Sequence, residues 1–229
     1  MKERGEGAID TILGLALLGG MIFALYMTFL VAPRERTMGD LQRIFYFHAP
    51  AGITGLTAFG VNFIASLGYL ARKNRWWDAL ALASAEVGVV LVTMLLATGP
   101  MWAKPVWLVW WAWTPRLTSS LILWMLYVAY LLVRNYIPDP ERRAQVSAVF
   151  GIVAFVDVPI VWFSIRWWRD IHPAPMLETG GLSPLMWPAL LVCWCAFQLL
   201  LVYLIRRRMF LESARQDLEE IQRRVELAS

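Results

Sequence analysis

Charged residues, histidine and cysteine are all scarce in this sequence, and each shortage excludes some classes of protein. Asp, Glu, Lys and Arg make up 17% of the 229 residues, whereas 59% are hydrophobic; soluble domains carry about 25% charged residues. The two cysteines, Cys193 and Cys195, would point to different sides of a helix and cannot easily bridge each other. They are interpreted as small apolar core residues, and a scaffold stapled by disulfides is excluded.

Patterns for hydrolysis and for nucleic-acid binding are missing as well. The sequence contains no nucleophile–base arrangement and no glycine-rich loop that could cradle a phosphate. The formal net charge is +4, but the basic residues lie in short segments between apolar runs, which is the pattern that orients a membrane protein. We therefore expect neither a catalytic turnover site nor a nucleic-acid partner.

Long apolar runs dominate the chain instead. A helix needs roughly 20 residues to cross a bilayer of about 30 Å, and six runs have about that length. They cover about residues 11–32, 44–71, 79–98, 117–133, 146–165 and 184–205. The predicted fold is all-α: a polytopic membrane protein with a bundle of six transmembrane helices. The first run is too long for a signal peptide and lacks a clear cleavage site, so we expect it to be retained.

The distribution of basic residues orients this bundle. Six spans put both termini on one side, and fourteen of the 21 Lys and Arg residues fall on that side. The positive-inside rule therefore predicts cytoplasmic termini. We divide the chain into a membrane domain, residues 1–205, with an outer Trp-rich loop at 99–116, and a charged cytoplasmic tail, residues 206–229.

The tail carries a narrow apolar seam. Its members are spaced alternately three and four residues apart, and they are Leu211, Ala214, Leu218, Ile221 and Val225. This spacing predicts an amphipathic cytoplasmic C-terminal helix. Glu219 with Arg223 and Glu220 with Arg224 have the favourable i,i+4 spacing. Two interpretations stay open: a helix that lies on the surface, or one that docks onto a cytoplasmic partner subunit.

The outer loop after the third run is the most unusual stretch. Its five tryptophans fall within twelve positions and are Trp102, Trp107, Trp110, Trp111 and Trp113, with Lys104 and Arg116 among or beside them. One or two tryptophans would be typical of a membrane interface, but five make a broad aromatic surface with cations at its margin. Such a surface suits a flat, apolar ligand that stacks on rings and carries carboxylates.

Both histidines of the chain fall on this outer side. His48 lies at the start of the second run, and His172 lies in the loop after the fifth. Neutral imidazole is a common ligand of haem iron, so two imidazoles beside an indole surface fit a porphyrin held at the membrane surface. Trp168 could extend that surface. Zinc would need three or four ligands at close spacing, which the outer loops do not offer, and the lack of C-x-x-C-H excludes covalent haem attachment.

Two carboxylates fall within predicted spans and are functional candidates by default. Glu86 lies in the third span and Asp157 in the fifth, where Pro159 is expected to kink the helix. The two acids could line a path for protons or substrate. Alternatively each is neutral or hydrogen-bonded inside the bundle, and Glu86 could reach the cytoplasmic surface.

With these motifs the chain resembles the haem exporter protein C family of cytochrome c maturation, which carries a tryptophan-rich "WWD" loop. The resemblance rests on QRIFYFHAPAG around His48, on the Trp-rich loop followed by TPRLTSSLILW, and on VPIVWFSIRWWRDIHPAP around His172. It covers roughly residues 41–175. The chain departs from the family at Thr114, which replaces the aspartate of the loop. We expect the Thr114 hydroxyl to cap the next helix, with Pro115 at the first helical position.

The resemblance implies a function and a set of partners. It implies that b-type haem binds non-covalently at the outer face of the bacterial cytoplasmic (inner) membrane, with His48 and His172 as axial ligands. The haem would be delivered to a periplasmic haem chaperone, the E protein, during c-type cytochrome biogenesis. An ABC-type complex with A and B subunits and a small D subunit would assist. Two other functions stay open: a bis-His membrane cytochrome that transfers electrons, and a small-molecule transporter that uses Glu86 and Asp157.

Overall fold

The computed structural model describes residues 2–168 and 182–228, and most of these residues are helical. In chain order the helices are α1 (Lys2–Tyr26), extended by a π-helical turn (Met27–Val31), then a 3-10 turn (Asp40–Ile44), α2 (Phe45–Arg72), α3 (Arg75–Trp107), α4 (Pro115–Tyr136), α5 (Pro140–Phe155), α6 (Asp157–Trp167) and α7 (Met186–Ala228). Within the described residues, six segments are long and apolar enough to cross a membrane, with α5 and α6 together forming one. The predicted all-α polytopic bundle is thereby confirmed.

Helices α2 and α3 form the centre of the bundle, because small residues let their backbones approach closely. A Cβ atom built on Gly55 would lie 2.8 Å from Cγ2 of Val92, and one built on Gly88 would collide with the ring of Phe59. Phe59 in turn stacks on Tyr127 of α4, with ring centroids 3.6 Å apart. The close α2–α3 pair therefore also fixes the position of α4.

Helix α3 is longer than the apolar run that predicted it. It continues from residue 98 to Trp107 and includes Pro100 and Pro105. The helix ends where Leu108 adopts a φ of +63°. Much of the stretch predicted as a Trp-rich loop is therefore helical, and the connection between α3 and α4 is only residues 108–114. We call the end of the bundle that carries this connection the loop end.

Helix α4 begins as predicted at the position where the chain departs from the WWD pattern. The hydroxyl oxygen of Thr114 accepts a hydrogen bond from the backbone N–H of Leu117 at 3.4 Å, and Pro115 takes the first helical position. A hydroxyl can satisfy one of the free N–H groups at a helix start as a carboxylate does. The replacement of the aspartate therefore leaves the helix capped.

The fifth span is broken at Val156, between α5 and α6. Pro159 has no N–H to donate to the carbonyl of Phe155, four residues earlier, so the helical hydrogen-bond ladder is interrupted there. The helix is interrupted three residues before this proline, and Asp157 lies in the first turn of α6.

The tail lies against its own bundle through its polar face. Helix α7 runs without a break across residues 205 and 206, where the sequence predicted the boundary between membrane domain and tail. That division into two domains stays a prediction. Glu219 pairs with Arg143 of α5 at 3.0 Å, and Glu220 pairs with Arg75 of α3 at 3.3 Å. The apolar seam faces away from the bundle, and its exposed members are Leu211, Ala214, Leu218, Ile221 and Val225. We call this end of the bundle the tail end.

Candidate functional site

His48 lies in the first turn of α2, half-buried at the loop end. A single turn of α3 faces it. Nδ1 of His48 lies 2.9 Å from Oγ1 of Thr98, and the imidazole ring meets the ring of Trp102 edge-on, with centroids 5.9 Å apart. Thr98 and Trp102 are four residues apart on α3 and so share one helix face. This contact depends on the turns by which α3 extends past residue 98.

The segment that leads into α2 is shaped by its own side chains. The carboxylate of Glu35 accepts hydrogen bonds from the backbone N–H groups of Met38, at 2.5 Å, and Thr37, at 2.7 Å. These hydrogen bonds favour the ionised form, and the one from Met38 contributes most to lowering the pKa of Glu35. Gly39 then adopts a φ of +60°, a conformation that favours glycine. The turn fixes how the chain enters the 3-10 turn before α2.

The five tryptophans of the predicted aromatic surface differ sharply in exposure. Trp102 is 6% exposed, whereas Trp110 is 61% and Trp113 is 75% exposed. Trp107 and Trp111 are half-buried, and the rings of Trp111 and Trp113 meet edge-on with centroids 5.8 Å apart. The site therefore has a buried indole beside His48 and exposed indoles further out on the connection.

Two buried donors at the loop end have no hydrogen-bond partner among the described residues. They are Nε1 of Trp102 and Nε1 of Trp111. Buried polar groups are nearly always hydrogen-bonded in native proteins, so these atoms are open to an external acceptor. The residues present fit a haem: an imidazole, aromatic rings for a porphyrin face, and indole N–H donors suited to carboxylates.

The other predicted ligand-binding residues have structural contacts of their own. Nζ of Lys104 donates to the carbonyl of Leu108 at 3.2 Å and so caps the end of α3. Arg116 donates to the carbonyl of Val161 at 2.7 Å and ties α4 to α6. Trp168 is half exposed at the end of α6. His172 lies outside the described residues.

The two acids predicted within spans have different surroundings. Glu86 forms an ion pair with Arg208 of α7, with a distance of 3.0 Å between Oε1 and Nη2. It therefore lies near the tail end, in the polar surroundings that the sequence left open as an alternative. Asp157 is half-buried, and its Oδ2 has no hydrogen-bond partner among the described residues. The two acids lie on different helices, and no contact joins them among the described residues.

Thr98 is the residue of the site that the sequence did not indicate. A threonine near the end of an apolar run is common, and nothing local pairs it with a histidine 50 positions earlier. Gln42 and Tyr46 precede His48 by six and two residues. These spacings place both residues on a different side of the helix from His48, so helical periodicity gives no reason to put them beside the histidine.

Comparison with known proteins gives consistent matches. The family model of Heme exporter protein C matches residues 6–224. Heme exporter protein C of Bradyrhizobium diazoefficiens is 34% identical over 195 residues, which cover 84% of this chain and 74% of that protein. The protein of the same name from Haemophilus influenzae is 30% identical over 209 residues, covering 90% and 82%. A ccmC-like mitochondrial protein of cytochrome c biosynthesis from Marchantia polymorpha is 31% identical over 160 residues, covering 70% and 68%.

Proposed function

The chain belongs to the heme exporter protein C family, and from that premise we propose that it binds b-type haem non-covalently and passes it to a periplasmic haem chaperone during c-type cytochrome biogenesis. The loop end would face the periplasm and the tail end the cytoplasm, with the bundle in the bacterial inner membrane. The protein would act as a transfer subunit and not as an enzyme.

The observation that carries this proposal is the placement of His48. Its imidazole lies at the loop end, within 2.9 Å of Thr98 and beside the buried indole of Trp102. Haem would supply an iron for the imidazole and carboxylates for the unpartnered indole N–H groups. The second axial ligand would be His172, as the family motif around it implies.

The exposure of the outer indoles supports transfer over permanent storage. Trp110 and Trp113 are largely exposed, so a ligand that rests on them remains accessible from outside the bundle. Trp102 and His48 would hold the ligand from the buried side. A site of this kind can release its ligand to a recipient without opening the bundle.

The proposed partners follow from the family. They are the haem chaperone (the E protein), the A and B subunits of an ABC-type complex and a small D subunit. A transporter that uses Glu86 is less well supported, because Glu86 is already paired with Arg208. An electron-transfer cytochrome would also use two histidines, and it differs from the proposed function in keeping its haem.

Absorption spectroscopy of the detergent-purified full chain tests the proposal. We expect a Soret band and sharpened reduced bands with the parent, and weaker bands with His48→Ala and with His172→Ala. The double variant is the matched control, because it has no histidine left. Absence of bound haem in the parent, even with added hemin, would refute haem binding. Haem that stays on the chain when purified chaperone is added would instead favour the electron-transfer cytochrome.

A further inference from the structure

We propose that Thr98 is a positioning residue for His48: its hydroxyl oxygen accepts the Nδ1–H of the imidazole and so directs the Nε2 lone pair to the iron. This inference rests on the proposed haem site, although the hydrogen bond itself can be tested without haem. Nothing in the local sequence assigns Thr98 this role.

The direction of the hydrogen bond follows from counting protons. A threonine hydroxyl has one hydrogen to donate. Oγ1 of Thr98 lies 2.8 Å from the carbonyl oxygen of Met94 and 3.3 Å from that of Leu95, and a carbonyl oxygen can only accept. With the hydroxyl hydrogen directed to its own helix, the oxygen faces His48 as an acceptor. Nδ1 of His48, at 2.9 Å, must then be the donor.

This direction determines which nitrogen can bind a metal. A neutral imidazole with its hydrogen on Nδ1 carries its lone pair on Nε2. Histidines that bind metals almost always donate their other N–H to a carbonyl, carboxylate or water, and this bond fixes the ring and makes it more basic. Here the hydroxyl oxygen of Thr98 takes the place of these acceptors.

The neighbours of Thr98 limit how far the ring can turn. Trp102, one helical turn further along α3, meets the imidazole edge-on. A Cβ atom built on Gly99 would lie 3.5 Å from Cε1 of His48, which is van der Waals contact. The ring is therefore bounded by three positions on α3, and only Thr98 contributes a hydrogen bond among them.

The chain offers a matched control on the same helix. Thr93 also directs its hydroxyl to the carbonyl four residues earlier, Val89, at 2.7 Å. It also lies 2.8 Å from an aromatic N–H, that of Trp124. Thr93 is exposed and does not contact His48. Like Thr98→Val, Thr93→Val therefore removes a threonine hydroxyl from α3 and leaves an aromatic ring nitrogen without its hydrogen-bond partner. Unlike Thr98→Val, it leaves the candidate site intact.

Nitrogen-15 NMR of histidine-labelled, haem-free protein tests the hydrogen bond directly. In a His172→Ala background the labelled chain contains only His48. We expect a protonated Nδ1 and an unprotonated Nε2 in this parent and in Thr93→Val. Thr98→Val should lose this preference, and Thr98→Ser should restore it. A parent with protonated Nε2 and bare Nδ1 would overturn the proposal.

Hemin titration of the same variants, with His172 present, tests the effect on the ligand. Loss of a hydrogen-bond partner of a metal ligand lowers metal affinity by about 10–100-fold, and we expect a loss in this range for Thr98→Val. Thr93→Val should match the parent, and Thr98→Ser should bind within a few-fold of it. If the parent binds hemin through His48 while Thr98→Val equals Thr93→Val, the role of Thr98 fails and the proposed function stands. If the parent binds no hemin, the proposed function fails, and with it the role of Thr98 toward iron, whatever the NMR spectra show.

Discussion

Arg134 of α4 donates two parallel hydrogen bonds to the carboxylate of Asp78 on α3, at 2.6 and 2.5 Å. The arginine is 3% exposed, so this pair is an internal connection of the bundle near the tail end. Glu212 of α7 lies 4.0 Å from the same guanidinium and is itself buried. Three helices therefore meet at one buried cation.

Removing that cation should destabilise the protein strongly. Arg134→Ala leaves the carboxylate of Asp78 buried without its charge partner, while Glu212 keeps Arg208 at 3.2 Å, and breaking a buried pair in this way costs about 3–5 kcal/mol. We expect a clearly lower midpoint of thermal unfolding in detergent. Arg142→Ala, at an exposed arginine of α5, is the control and should leave the midpoint unchanged. Equal midpoints for the two variants would contradict the structural role of Arg134.

The tail should detach when its ion pairs to the bundle are removed. The double variant Glu219→Ala/Glu220→Ala loses the contacts to Arg143 and Arg75, so the tail part of α7 is no longer held to α3 and α5. Its backbone can then unfold locally, which chymotrypsin needs in order to cut at the already exposed seam residues. We expect faster cleavage between residues 210 and 220 than in the parent. Asp217→Ala changes an exposed acid of the same helix and should be cleaved at the parental rate. A double variant as resistant as Asp217→Ala would show that other contacts hold the tail.

The Glu86–Arg208 pair should contribute to stability and not to haem binding. Both side chains are about one third exposed, so the pair is worth at most about 1 kcal/mol. We expect Glu86→Gln to lower the unfolding midpoint slightly, and Arg208→Gln to lower it more, because Arg208 also pairs with the buried carboxylate of Glu212 at 3.2 Å. The double variant should lower it by less than the sum. Hemin titration curves should match the parent in all three. Loss of hemin binding in Glu86→Gln alone would give this acid a direct role.

The buried and exposed tryptophans should behave differently when truncated. Trp102 is enclosed at the loop end and contacts Phe45 and His48, so Trp102→Ala should cost about 3–5 kcal/mol of stability and also weaken hemin binding. Trp113→Ala removes a largely exposed ring and should leave the unfolding midpoint unchanged. Thermal unfolding of the haem-free variants measures the loss of stability, and a separate hemin titration of the folded variants measures the loss of binding. An equal loss of stability in both variants would refute the distinction between them.

The amino-acid sequence by itself determined the architecture of this protein. Six apolar runs of about membrane length predict six spans. Thr114 followed by Pro115 predicts the start of α4, and Pro159 predicts the break between α5 and α6. These features depend on residues adjacent in the chain, or on composition over about 20 positions, and they can be deduced without knowledge of any contact between helices. The motifs around His48 and His172 similarly indicated the family.

Only the tertiary structure decided which side chains meet. The hydrogen bond between His48 and Thr98 joins residues 50 positions apart, and the bond between Arg134 and Asp78 joins residues 56 apart. Both depend on the register in which α2, α3 and α4 pack, which is set by close approaches such as that of Gly88 to Phe59. The helical period gives the face on which a residue lies but not its level against the neighbouring helix. For this reason the sequence placed Glu86 inside a span as a possible transport residue, whereas packing against α7 pairs it with Arg208.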